Sequence, residues 1–454
     1  MLKFETDSRL IQKGQTFVAI KGHTVDGHEY IENAIKNGAT DVIAEHDVKC
    51  KVPVTIVKDS ELYLKEELKK LYSDKLNKLK IIGVTGTNGK TTTCYLTYQL
   101  LQKLGVKVAY LGTIGFYYED KIIHTENTTP DTLTIYKLLM EAMDDGITTI
   151  VMEVSSHSLA FNRLYGLHLD EAAFTNLTED HLDYHKTMEN YLNCKLKIFD
   201  LLDKDGTMVV NSDDEYSKYF IEKANKWKTL GLNGNYKIVD FKTTAGDTDM
   251  NLEIDGNKYN VKTNLTSKFN VYNFLTAVAL IHELGYKTED ILKYSEDVKP
   301  PKGRCETFKV NGGYAIVDYA HTPDAVLKVV TAYNELKTNK VITLVGCGGD
   351  RDPLKRPIMG DIATKLSDYV IFTEDNPRTE DPHKIMDDIL KGVNKNNYEV
   401  IYDRPMAIKK GIDMMEKGDI LLLLGKGHED YQIIGHTKHH LDDSEEVLKW
   451  HKEA

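Results

Sequence analysis

Residues 80–105 read KIIGVTGTNGKTTTCYLTYQLLQKLG. An aliphatic strand runs into a glycine- and threonine-rich turn, GTNGKTT at 86–92, and an amphipathic helix follows up to Gly105. Strand, phosphate-type loop and helix form the opening unit of a nucleotide-binding parallel sheet. The glycines let N–H groups approach phosphate oxygens, Lys90 supplies a point charge, and Thr91 offers a hydroxyl to magnesium. The spacing is not the strict GxxxxGK[ST] form, because position 84 is Val. The turn therefore points to a nucleoside triphosphate without matching the usual phosphate-loop families letter for letter.

Working outward, aliphatic strands are expected at 108–111, 149–154, 172–175 and 207–211, with helical patterns between them. They predict a doubly wound α/β domain over 80–306, carrying an antiparallel hairpin in the turn-rich stretch 236–265. Before it, strands at 16–20, 41–45 and 52–57 alternate with a polar helix near 30–37. This predicts a small α/β domain over 1–79, leaving through a charged helix at 62–80. After the Pro-Pro-Lys-Gly stretch at 300–303, strands at 314–318, 341–347, 369–373 and 420–424 predict a third α/β domain over 307–454. A chain of 454 residues fits three domains at about 100 to 200 residues each.

Composition narrows the function classes. The 58 Lys and Arg against 70 Asp and Glu leave a net charge of −12, which excludes the uniform basic field of a non-specific nucleic-acid or anionic-membrane binder. The five cysteines show no CxxC pair, and an odd count fits a reducing compartment. The start, MLKFETDSRLIQKG, carries no apolar signal core, and the longest aliphatic run, at 421–424, is far short of a membrane span. These features predict a folded, cytoplasmic protein.

Several motifs stand at the ends of predicted strands, where ligands bind in open α/β sheets. Glu153 closes the strand IVME, well placed to hold Mg²⁺ beside phosphates. The stretch TNLTEDHLDYHKTMENYLNCKLKIF gathers Asp180, His181, Asp183, His185 and Lys195; by itself it reads equally as a polar loop and helix. In the last third, DYAHTPDA, GCGGDRDPLKRP, DNPR and LGKGHED each follow or end a strand. An acid beside an arginine recognises an amine and a carboxylate together, as an amino acid presents them. Each of these loops taken alone is equally a surface turn.

Taken in order, GTNGKTT, TTPD, EVSSHSL, TNLTEDHLDYH, YxxxKxxIF, DYAHTPD, GCGGDRD, DNPR and LGKGHE resemble the Mur ligase family, over nearly the whole chain. The resemblance implies a uridine-nucleotide domain, a central P-loop-type ATPase domain and a Rossmann-like C-terminal domain. It implies ATP-dependent amide synthesis through an acyl phosphate in peptidoglycan precursor synthesis, with Mg²⁺; a monomer is the expected state. The acyl substrate implied is UDP-MurNAc-L-Ala-D-Glu and the amine meso-diaminopimelate. The same reaction with L-lysine or another diamino acid, and a non-catalytic nucleotide-binding relative, are the alternatives.

Carried over by residue, Gly86, Thr87, Asn88, Gly89, Lys90, Thr91 and Thr92 resemble the ATP loop, and Asn211, Arg304 and Asp318 complete the ATP side. Lys90, Glu153, His181 and Lys195 form the implied catalytic set. Thr91, Glu153 and His181 resemble magnesium ligands, and Lys195 matches the lysine that the family carbamylates, turning a repelling ammonium into a binding carbamate. Ser8, His23, Thr24, Val25, Thr128, Thr129, Ser155 and Arg163 match contacts to the UDP-muramoyl-dipeptide. Arg351, Asp375, Asn376, Pro377, Arg378, Gly425 and Glu429 match the diamino-acid pocket, with Arg378 gripping the distal carboxylate. Phe161 stands where relatives often have Gln, and GRCE at 303–306 replaces the commoner GRME or GRFE.

Overall fold

The computed structural model describes residues 2–22 and 25–451. The chain divides into two compact units, one of residues up to Thr229 with Glu283–Gly285, the other of Leu230–His282 with residues from Tyr286 onward.

The first unit contains two sheets. Phe4–Glu5, Thr16–Val18, Asp41–Ala44 and Val54–Ile56 pair in that order, all parallel. Alternate residues of these strands face opposite ways. Phe17, Val42 and Ala44 pack with Ile31 and Ala34 of the helix Ile31–Asn37, while Phe4, Val18 and Ile43 join the larger core. That core also takes Leu64 and Leu68 from the helix Ser60–Leu76, which starts and ends a few residues before the expected 62–80. Asp59 sets the start by accepting from Leu62 N. The shared core explains why the first 79 residues and the phosphate-loop sheet form one unit.

In the larger sheet the order is Leu202–Asn211, Leu169–Phe174, Lys80–Thr85, Thr149–Glu153, Val108–Gly112, then the antiparallel pair Gly115–Tyr118 and Lys121–Ile123. The first five strands are parallel. Chain order reverses about Lys80–Thr85, so the turn after it sits at the topological switch point.

In the second unit the 236–265 region is a three-stranded antiparallel meander, Tyr236–Thr243, Thr248–Ile254 and Asn257–Thr263, one strand more than the expected hairpin. A six-stranded sheet follows in the order Glu306–Val310, Gly313–Asp318, Ile420–Leu424, Val341–Val345, Tyr369–Phe372, Tyr398–Val400. Only its first pair is antiparallel. Ile316, Leu422, Val345 and Phe372 pack on helices Pro323–Leu336, Lys355–Leu366 and Pro382–Leu390; Val317, Leu423, Leu344 and Ile371 pack on Arg404–Met414 and Asp443–Trp450. Helices thus cover both faces, as a doubly wound sheet requires. No helix among the described residues is long and apolar enough to cross a membrane.

Candidate active site

The turn after Lys80–Thr85 can follow its path only with glycine at 86: φ is +148°, and a Cβ there would stand 1.9 Å from Thr175 Oγ1. Gly89, at φ +87°, opens the helix Lys90–Lys103 with no side-chain cap. A helix start that no side chain caps suits an anion. The turn is braced from a distant segment. Thr87 N donates to Asn176 O at 2.8 Å, Asn88 N to Asn176 Oδ1 at 2.9 Å, and Thr178 N to Thr87 Oγ1 at 3.0 Å. Asn211 supports the same segment by donating to Thr175 O at 2.8 Å.

Two ammonium groups converge on this turn. Lys90 Nζ donates to Gly86 O at 3.0 Å and Thr87 O at 2.8 Å, and Lys195 Nζ donates to the same Gly86 O at 2.7 Å. Lys195 is 1% exposed and lies 4.5 Å over the Tyr191 ring. Burial, and then the nearby Lys90, push its ammonium far below the ordinary lysine value.

Glu153 is fully buried at its strand end. It accepts from Tyr110 OH at 2.6 Å, Thr113 N at 2.8 Å, Thr91 Oγ1 at 3.0 Å and Thr113 Oγ1 at 3.2 Å. All these donors are neutral. A buried carboxylate that accepts from a helix-start hydroxyl suits a hard cation. His181 takes a left-handed φ of +54° and contacts the Tyr191 ring at 6.3 Å and the His157 ring at 5.1 Å. Burial holds its imidazole below the ordinary value against the pull of Asp180, leaving the neutral form that a metal ligand requires. The structure thus joins Thr91 directly to Glu153, and places His181 and Lys195 around Tyr191.

The residues expected at the muramoyl-peptide lie on the same strand end. Thr129 Oγ1 donates to Glu153 O at 2.8 Å and accepts from Ser155 N at 3.3 Å, and Arg163 Nη1 donates to Thr129 O at 2.8 Å. Thr128 and Thr113 hydroxyls stand 3.0 Å apart. Ser155 also caps the short helix Ser156–Ala160 through Ser158 N at 3.1 Å. Phe161 stacks toward His157 at 6.4 Å and carries the Arg163 guanidinium 5.5 Å over its ring, so aromatic packing holds the arginine there. In the preceding sheet, Ser8 is buried and tied to Asn33 and Asn37, and Val25 is exposed. His23 and Thr24 lie outside the described residues.

In the second unit, Asp318 accepts from Cys305 N at 2.8 Å and Ala320 N at 2.9 Å, and burial raises its carboxyl above the usual range, opposed by Arg304. Arg304 lies 4.7 Å over the Tyr319 ring. Cys305 of GRCE thus serves Asp318 through its backbone N and also through Sγ, which donates to Asp318 Oδ2 at 3.4 Å. Asp375 meets Gly425 and Asn376 meets Glu429, whereas Pro377 and Arg378 lie against Gly349. Asn376 Nδ2 donates to Glu429 Oε2 at 2.8 Å, and a Cβ on Gly425 would stand 2.7 Å from Asp375 Oδ2. Arg378 Nη1 donates to Gly349 O at 2.8 Å, joining DNPR to GCGGDRD, where Arg351 is exposed.

The hairpin Tyr431–Ile434 with Thr437–His440 secures this loop. Arg378, at a left-handed φ of +52°, donates from its N to Ile433 O at 2.9 Å and accepts from Gly435 N at 2.7 Å. Gln432 and Ile433 donate to Asp375 O and Asn376 Oδ1, both at 2.8 Å.

Three family profiles match in chain order: "Mur ligase family, catalytic domain" over 4–78, "Mur ligase middle domain" over 84–281, and "Mur ligase, glutamate ligase domain" over 303–427. A UDP-N-acetylmuramoyl-L-alanyl-D-glutamate–2,6-diaminopimelate ligase 1 of Clostridium acetobutylicum is 41% identical over 456 residues, 98% of this chain and 94% of that protein. The Fusobacterium nucleatum ligase of the same name, without the numeral, is 43% identical over 97% of this chain and 92% of its own. The chain belongs to the Mur ligase family. A solved Mur ligase structure, again a UDP-N-acetylmuramoyl-L-alanyl-D-glutamate–2,6-diaminopimelate ligase, matches with a TM-score of 0.72 and 32% identity, covering 98% of this chain and 94% of that one.

Sequence reasoning about this Mur ligase missed the braces. Tyr110 and Thr113 on Glu153, Asn176 and Thr178 on the ATP-type turn, and the 431–440 hairpin behind Arg378 carry no chemistry in their letters. Tyr191 had a signal, lying one helical turn before Lys195 in YxxxKxxIF.

Proposed function

We propose that the chain is an ATP-dependent, ADP-forming ligase that joins meso-diaminopimelate to the D-Glu γ-carboxylate of UDP-MurNAc-L-Ala-D-Glu. In this reading 1–79 takes the uridine nucleotide, 80–306 ATP and 307–454 the incoming amino acid. A carboxylate oxygen of the D-Glu attacks the γ-phosphorus and ADP leaves, giving an acyl phosphate. The amine nitrogen then attacks the acyl carbon, the bond to phosphate breaks, and the nitrogen loses its proton. Such a sequence asks the protein for positioning and charge rather than covalent participation.

Lys90 supplies positive charge to the phosphates, and the open start of its helix supplies N–H donors. Thr91, Glu153, His181 and a carbamylated Lys195 are the residues that would hold Mg²⁺, whose contribution is to neutralise phosphate charge. The enclosed Lys195 favours carbamylation, because burial favours the neutral amine that attacks carbon dioxide. Thr128, Thr129, Ser155 and Arg163, with Ser8 and 23–25, receive the UDP-muramoyl-dipeptide. In this reading the enzyme works in the cytoplasm, as a monomer, on its small-molecule substrates, without nucleic acid or membrane.

The observation that carries the choice of amine is Arg378, held in a left-handed backbone next to the Asn376–Glu429 pair. A guanidinium pairs with the distal carboxylate of meso-diaminopimelate, whereas it repels the ammonium that ends L-lysine. The test is phosphate release with ATP, Mg²⁺ and UDP-MurNAc-L-Ala-D-Glu, comparing meso-diaminopimelate, L-lysine, L-ornithine and no amine, with mass spectrometry of the product. A tripeptide product formed with meso-diaminopimelate alone is expected; faster turnover of L-lysine would overturn the choice of amine.

A further inference from the structure

Arg404 begins the helix Arg404–Met414 and is 1% exposed despite its permanent charge. Its Nε and Nη2 fork onto Asp443 at 2.7 and 2.6 Å, with both side chains enclosed. Further donors go to main-chain oxygens: Nη2 to Leu424 O at 3.1 Å and Nη1 to Glu374 O at 3.3 Å. Leu424 immediately precedes Gly425, and Glu374 immediately precedes Asp375. The strands leading to these two loops are not neighbours, since Val341–Val345 runs between them. One guanidinium therefore spans a strand to hold the roots of both loops of the amine pocket.

There is little slack where those loops meet, as the close approach of Gly425 to Asp375 Oδ2 shows. A buried ion pair is a weak source of stability compared with well-packed apolar residues. What it supplies here is direction: a planar fork with donors at fixed angles, which lysine cannot reproduce. We propose that Arg404, anchored by Asp443, is a positioning residue that fixes the spacing between the Asp375–Arg378 and Gly425–Glu429 loops and so sets affinity for the incoming amino acid. The inference rests on reading this pocket as the amino-acid site.

The test is steady-state kinetics of Arg404→Lys with each substrate varied in turn. The expected result is a KM for meso-diaminopimelate raised about tenfold, the loss of about 1.4 kcal/mol, with KM for ATP and for UDP-MurNAc-L-Ala-D-Glu within about twofold of the parent. A lower melting temperature with an unchanged amino-acid KM in the folded fraction would assign Arg404 a purely structural role and overturn the proposal. Should Arg404→Lys fail to fold, Asp443→Asn, which loosens the anchor, takes the same test with the same selective rise expected and an unchanged KM counting against it. If the parent enzyme accepts no diamino acid, the functional reading fails separately. A crystal structure of whichever variant folds then decides the positioning role: displaced 375–378 and 425–429 loops support it, and superimposable loops refute it.

Discussion

The two units handle buried charge differently. In the first, Lys90 and Lys195 both donate to Gly86 O. In the second, Asp375 and Glu429 stand close enough that burial, and then Asp375, raise the Glu429 carboxyl above its usual range. Like charges held together are costly until an opposite charge arrives. In the first unit, burial and then Lys90 favour the neutral Lys195 amine; in the second, Lys426 Nζ, itself buried, lies 3.5 Å from Glu429 Oε2 and opposes the rise. The bracing also differs. Main-chain and side-chain groups of 175–178 together hold the phosphate turn, whereas the backbone of a hairpin holds Arg378.

The sharpest test of the cationic side is Lys90→Ala, expected to cut phosphate release by about a hundredfold to a thousandfold through loss of charge on the phosphates. Lys195→Ala should cut it comparably, but with recovery on adding short carboxylates such as acetate or formate. No such recovery is expected for Lys90→Ala. Full activity of Lys195→Ala in bicarbonate-free buffer would remove the carbamate.

On the anionic side, Arg378→Ala should raise the KM for meso-diaminopimelate about tenfold to a hundredfold while sparing ATP binding. An unchanged amino-acid KM would take Arg378 out of the pocket. The smallest effect concerns a buried carboxyl away from the phosphate turn. Glu171 accepts from Thr207 N at 3.0 Å, and burial raises its pKa to about 7, above the ordinary carboxyl value. The folded state therefore binds the extra proton, and stability present below about pH 4 is lost as pH rises through 7. Glu171→Gln should raise the melting temperature at pH 8 by about 2 °C without changing turnover. A melting point that falls at pH 8 would show that the ionised carboxylate is stabilising instead.

Much of this is legible in the sequence. The GTNGKTT turn, the strand ends carrying Glu153 and Asp318, and DNPR with LGKGHE are short, local patterns. Local patterns survive in a sequence because strand, turn and helix signals lie within a few residues of one another. Element ends were less legible, and the 236–265 region yielded a third strand where the turn signals indicated a hairpin. Division into compact units was hidden as well, because Leu64 and Leu68 enter a core built largely from residues far along the chain.

By itself, then, the sequence determined the alternation of strands and helices, the phosphate turn, and which charged residues stand at strand ends. Only the tertiary structure decided that Lys90 and Lys195, far apart in the chain, meet on one carbonyl. It also decided that Tyr110 and Thr113 fill Glu153, and that Arg404 ties two non-adjacent strand ends together. The physical reason is that periodicity and turn chemistry act along the chain, whereas hydrogen-bond satisfaction of a buried charge is settled in space, by whatever segments the packing brings beside it.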